Sequence, residues 1–174
     1  SFNFSFVEPW LGGKKPTALS VSLYNTRLNA TSTDGHQYIY GASVGLGTRL
    51  RKPDNFFRLQ GSLGYQYYDV DNYPGLSLAK GFYNNANIKL TLSRSSVDQP
   101  IYPRSGSEIQ LSSQSSFPGS LLNPGTDYTV LPDNEKFKWI EYHKHKAHAA
   151  WYTTLVEKLV LYNKVNFGVM LAWN

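Results

Sequence analysis

The sequence predicts an all-β fold, an antiparallel up-and-down transmembrane β-barrel with about eight strands in this chain. Three observations predict it. Apolar and polar side chains alternate with period two along most of the chain. Several alternating runs reach about 14 residues, against about five or six in soluble sheets. The composition favours strands over helices: 15% of residues are aromatic, only 17% are charged, and Tyr, Ser, Thr, Asn and Gly abound.

The same composition excludes other classes. A length of 174 residues suits one domain. Hydrophobic residues make up 41%, too many for a disordered tail. With no Cys, disulfide scaffolds, thiolate metal sites and Cys nucleophiles are all excluded. The longest unbroken apolar run, Val169 to Trp173, is far short of the roughly 20 residues a spanning helix needs. No charged n-region and apolar h-region open the chain. It begins and ends in strand-like alternation, which reads as part of a larger chain, since a strand edge left open exposes unpaired backbone groups.

The strands follow in order, separated by turn chemistry. The first, 1–8, alternates Phe2, Phe4 and Phe6 with Asn3 and Ser5, and ends before Pro9 and Gly12-Gly13. The second, 17–30, carries Leu19, Val21 and Leu23 against Ser20 and Ser22, and stops at Thr31 to Gly35. The third, 37–51, sets Tyr38, Tyr40, Ala42, Val44 and Leu46 against Gly41, Ser43, Gly45 and Gly47, and Lys52-Pro53-Asp54-Asn55 breaks it. The fourth, 56–69, sets Phe57, Leu59, Leu63, Tyr65 and Tyr67 against Arg58, Gln60, Ser62 and Gln66, before a long break with Pro74-Gly75. The fifth, 83–97, shows Ile88, Leu90 and Leu92 against Lys89 and Thr91, and Asp98 to Gly106 ends it. The sixth, 107–116, pairs Ile109 and Leu111 with Gln110 and Ser112, before the longest break, with Pro118-Gly119 and Asn123-Pro124-Gly125. The seventh, 137–152, carries charge on both faces, and the break that follows is read at Thr153 to Lys158. The eighth, 159–173, sets Val165, Phe167, Val169 and Leu171 against Asn166 and Gly168.

The polar faces are small and hydrophilic, while the apolar faces are aliphatic in the middle and aromatic towards their ends. That distribution matches a lipid-facing band with interfacial girdles. On pattern alone two alternatives stay open. A complete eight-stranded barrel, acting as pore or anchor, requires segments 1–8 and 159–173 to pair. A soluble β-sandwich binding module requires a second layer over the apolar face.

Candidate chemical sites are weak. His143 and His145 share a strand face with Glu141, and His148 is near, but Lys144 and Lys146 would repel a metal cation. Asp69, Asp71, Asp127, Asp133 and Glu135 lack the spacing of a calcium loop and read as solvated loop acids. Gly41, Gly45 and Gly47 stand at strand spacing without a following helix, so they form no phosphate loop. Lys14, Lys15, Arg49, Arg51, Lys52 and Arg104 gather at alternate breaks, suited to acidic headgroups, and lack the stacking aromatics of a nucleic-acid interface. No Ser/His/acid grouping argues for catalysis, and no cofactor is expected.

Two motifs carry a family resemblance. Phe6-Val7-Glu8-Pro9-Trp10 closes a strand before a short turn and the Leu19–Asn25 strand. Asp98-Gln99-Pro100-Ile101-Tyr102-Pro103-Arg104-Ser105-Gly106 leads into another strand. Their type, order and separation resemble the barrel of BamA-type outer-membrane protein assembly factors. Lipid-transporting barrels and two-partner secretion pores share parts of them. The resemblance implies strands four to eleven of a sixteen-stranded barrel, with residues 1–174 a single partial barrel domain. Glu8, Pro9, Trp10, Asp98, Tyr102, Pro103 and Gly106 carry over as structural turn residues only. Breaks one, three, five and seven would be periplasmic. POTRA domains would precede Ser1, and the Val-Arg-Gly-Phe loop and part of the lateral gate would follow Asn174.

The resemblance further implies location in the outer membrane of a Gram-negative bacterium. It implies insertion of β-barrel clients without enzymatic chemistry, with membrane lipid, unfolded outer-membrane proteins and accessory assembly lipoproteins as partners. In that family a weak seam pairs with the edge of an incoming strand, and these strands would form the stable wall beside it.

Overall fold

A computed structural model of the chain describes residues 1–13, 17–30, 34–73, 80–119 and 131–172. Lys14, Lys15, Pro74-Gly75, Asn123-Pro124-Gly125, Asp127 and Trp173 lie outside the described residues. Eight strands form one sheet in sequence order, every neighbour antiparallel. They are β1 (Phe2–Glu8), β2 (Thr17–Asn29), β3 (His36–Arg49), β4 (Phe57–Asp71), β5 (Gly81–Ser95), β6 (Gly106–Ser116), β7 (Tyr142–Val156) and β8 (Leu159–Ala172). A single turn of helix, α1 (Asp133–Lys136), precedes β7. No helix among the described residues is long and apolar enough to cross a membrane.

Seven strand positions agree with the sequence pattern to within about two residues, as expected where the period is strict. The seventh is shifted. It starts at Tyr142 rather than 137 and runs to Val156, so the break at Thr153 to Lys158 shrinks to residues 157–158. Residues 137–141 bind elsewhere: Asn84 N–H donates to the Lys138 carbonyl and Ile140 N–H to the Asn84 carbonyl, both at 2.8 Å, across the end of β5. Thr153 and Thr154 are β-branched and continue the ladder against Leu161 and Val160.

The register shows which side chains share a face. One row across the sheet reads Phe6, Val21, Val44, Leu63, Ile88, Ser115, His143, Leu171. Its neighbour one residue along reads Ser5, Ser22, Ser43, Gly64, Asn87, Ser116, Tyr142, Ala172. The first face is greasy, and its large side chains are exposed: Leu63 is 62% open. The second is polar, and it holds Gln37, Val70, Tyr83, Asn85, Ser116 and Ala150, all buried. Side chains crowd on a concave face and splay on a convex one, so the polar side is the inside of the curved sheet.

This arrangement overturns both open alternatives. β1 and β8 are the two ends of the sheet and do not pair, so the eight strands do not close on themselves. Among the described residues no second layer covers the apolar face, as a sandwich would need.

Candidate functional site: the inner wall and the tight turns

The apolar face has the dimensions of a hydrocarbon layer. Tyr40, Tyr67 and Phe82 form an aromatic cluster near the end where β4 stops and β5 starts, with ring centroids 6.2 and 5.9 Å apart. Phe56 and Phe57 mark the opposite end. Between them lie Val44, Leu46, Leu59, Leu63, Ile88, Leu90 and Leu92. From Phe57 to Tyr67 the chain rises ~33 Å along β4, or ~25 Å at a tilt of ~40°, which is the height of a barrel's apolar band.

The register also assigns β7. His143, His145, Ala147, Ala149 and Trp151 share the apolar face, while Lys144, Lys146 and His148 face inward. His143 sits beside Ser115, with Oγ and Nδ1 2.6 Å apart, and its ring stacks on His145 at 6.3 Å. His148 is on the other face, paired with Asn166 through Nδ1 and Oδ1 at 2.6 Å. The three histidines therefore do not converge, and no metal cluster appears among the described residues. Asp69 and Asp71, expected in a loop, instead lie in the last residues of the β4 ladder, paired with Tyr38 and His36; Asp71 takes Lys80 Nζ at 2.8 Å and Asp69 lies 3.8 Å from His36.

A polar network crosses the inner wall, and no motif in the sequence announced it. Gln66 Nε2 donates to the Tyr24 hydroxyl. Gln66 Oε1 accepts from Tyr68 at 2.8 Å and from Asn85 at 3.0 Å. Asn87 donates to Asn85 Oδ1 at 3.4 Å, and Gln114 Nε2 donates to Asn87 Oδ1 at 3.2 Å and to Tyr142 at 2.8 Å. The chain joins β2, β4, β5, β6 and β7. It skips β3 because Tyr24 lies across Gly41, where any Cβ would overlap the phenol ring. Small residues at Gly41, Ser43 and Gly45 thus make room for polar side chains rather than for phosphate.

The tight turns are built by side chains capping backbone. Asp98 Oδ1 accepts from the N–H groups of Gln99, Arg104 and Ser105 at 3.0, 3.1 and 3.2 Å. Loss of hydration resists ionisation of Asp98, but the donors from Ser105, Arg104 and Gln99 outweigh it and hold the carboxyl below the usual aspartate range. Gly106 adopts φ +110°, and a Cβ there would overlap the Ser96 carbonyl and come within 2.7 Å of Val97 Cα. Only glycine fits. Tyr102 takes φ +55° and is exposed beside Pro103. Near β1, Trp10 N–H donates to Glu8 Oε1 at 3.2 Å, with Pro9 between them. Arg94, not singled out by the sequence, fastens two turns together. Its Nε meets Asp54 Oδ2 at 3.0 Å, its Nη1 donates to Ser96 and Ser107 at 3.1 Å, and its guanidinium lies over Phe56 and Phe57.

An Omp85 superfamily domain matches residues 1–174, the whole chain. The chain belongs to the Omp85 superfamily. Among solved structures, the chain is similar to BamA from Haemophilus ducreyi lacking POTRA domains 1–3, with a TM-score of 0.70 and 16% identity. The match covers 98% of this chain and 33% of that one, so the chain spans about a third of the length of that relative. A search of the curated proteins returns no sequence match. The Omp85 chain is thus a partial BamA-type barrel of the bacterial outer membrane.

Proposed function

We propose that this chain is the wall section, strands four to eleven, of a barrel that folds and inserts β-barrel proteins into the outer membrane. The observation that carries the reading is a single open sheet, polar inside and apolar outside, in a chain that an Omp85 domain matches from end to end. Such a wall supports insertion without covalent chemistry. Its apolar face anchors the barrel in lipid, and its inner hydrogen-bond network stiffens the strands. A weaker seam elsewhere in the full barrel then opens and pairs with a client edge. The connections from β1 to β2, β3 to β4, β5 to β6 and β7 to β8 would lie on the periplasmic side, where Glu8, Pro9, Trp10, Asp98, Tyr102, Pro103 and Gly106 serve as structural turn residues. Unfolded outer-membrane proteins are the clients, and accessory lipoproteins are expected at the periplasmic face.

Reconstitution tests this. The full-length protein in liposomes should speed folding of an unfolded eight-stranded outer-membrane protein, read as its heat-modifiable shift on a gel. A client that folds no faster than in empty liposomes overturns the proposal.

A further inference from the structure

The inner face of the sheet is strongly one-sided in charge. Strand positions on it carry Arg49, Arg58, Lys89, Lys144, Lys146 and Lys164, against a single acid, Glu108, among the described residues. None of the six cations forms a salt bridge among those residues. Most of the charge gathers over β5, β7 and β8. There a recess of about 540 Å³ is lined by Lys89, Gln110, Ser112, Lys146, His148 and Asn166, with Gly168 leaving its floor bare.

Spacing indicates what such a surface fits. Lys144, Lys146 and His148 project from alternate residues of one strand, ~6.8 Å apart. An extended polypeptide repeats its own same-side groups at the same interval. Carboxylates at every second position of such a segment would therefore meet this ladder group for group. A single compact anion would engage one rung. Lys89 on one side of the recess, and Asn166 and Lys164 on the other, widen the ladder into a trough.

We infer that the inner wall along β7 is a docking surface for an extended acidic segment of polypeptide passing through or resting in the lumen. The inference rests on the reading of this face as the lumen. Attraction of this kind is electrostatic and weakens as salt shortens the screening length.

The test uses the full-length protein in lipid nanodiscs and a fluorescein-labelled deca-glutamate, with deca-glutamine as the uncharged control. Saturable binding of the acidic peptide alone is expected, weakening steadily from 50 to 300 mM NaCl. Lys144→Gln with Lys146→Gln should weaken it about tenfold. Lys144→Arg with Lys146→Arg should retain it, and Arg27→Gln, on the apolar face, should leave it unchanged. No saturable binding, equal binding of deca-glutamine, or equal loss in the Arg27 variant overturns the inference. So does displacement by pyrophosphate at the same concentration that displaces the peptide, since that marks a site for any compact anion. A cysteine at Ser112 separates the two premises. Reaction with a membrane-impermeant maleimide without peptide binding rejects the docking surface alone, and no reaction rejects the lumen reading beneath it.

Discussion

At the scale of single residues, two positions show how one side chain, or the lack of one, becomes a structural requirement. Gly41 is the gap through which Tyr24 reaches from β2 over β3 to Gln66 on β4. Gly41→Leu must move that ring and break the start of the inner network, at a cost of about 1–3 kcal/mol of overpacking. Urea titration of the folded barrel measures the loss, and adding Tyr24→Ala should restore most of it. Asp98 is the second. An aspartate in an unfolded chain titrates near about 3.9. Its folded value here is lower, so its contribution is complete above the unfolded value and is lost as pH falls through the folded one. Protection of the Arg104 and Ser105 amides from hydrogen exchange should hold from neutral pH down to the aspartate range and collapse below it. Asp98→Asn keeps an oxygen acceptor but no titration, and its protection should cease to depend on pH.

At the scale of elements, the strict alternation in β3, β4 and β5 was enough to place those strands, because a one-residue slip would invert every side chain. β7 was not legible in the same way. Its two faces carry comparable polarity, and only its pairing with β6 and β8 decides that His143 and His145 join Leu171 and Val169 outside while Lys144 and Lys146 turn inward. Nor could the sequence exclude 137–141 from the strand, since Trp139 and Ile140 are good strand formers. They are diverted by Asn84, which is remote in sequence. The turn residues, Gly106 among them, came from the family resemblance alone, and neither the triple capping by Asp98 nor the reach of Arg94 to Asp54 has a signal in the local pattern. The facing of β4 yields a direct prediction. Leu63 lies mid-row on the apolar side and Ser62 on the polar side. Leu63→Arg should cost about 2–4 kcal/mol in lipid, whereas Ser62→Arg should stay within about 0.5 kcal/mol. Equal effects on folding into liposomes would contradict the facing.

At the scale of the whole molecule, every functional statement depends on which solvent touches which face. A soluble sheet would hide its leucines, and this one displays them over a band as tall as the acyl region. The absence of cysteine from the sequence makes the question accessible, because any introduced thiol is the sole reporter in the 174 residues. Single cysteines at successive positions from Phe57 to Tyr68 in membrane-inserted protein should react with a water-soluble maleimide in a period of two. The inward set, 58, 60, 62, 64, 66 and 68, should label quickly, and the outward set between 59 and 65 slowly. Positions 57 and 67 belong to the aromatic ends and should label at intermediate rates. In detergent-free denaturant the alternation should vanish, since an unfolded chain has no faces. A uniform rate across β4 in the membrane, or fast labelling of 59 and 63, would mean that water meets the apolar side, and the barrel wall would have to be abandoned for a sheet covered by some other layer.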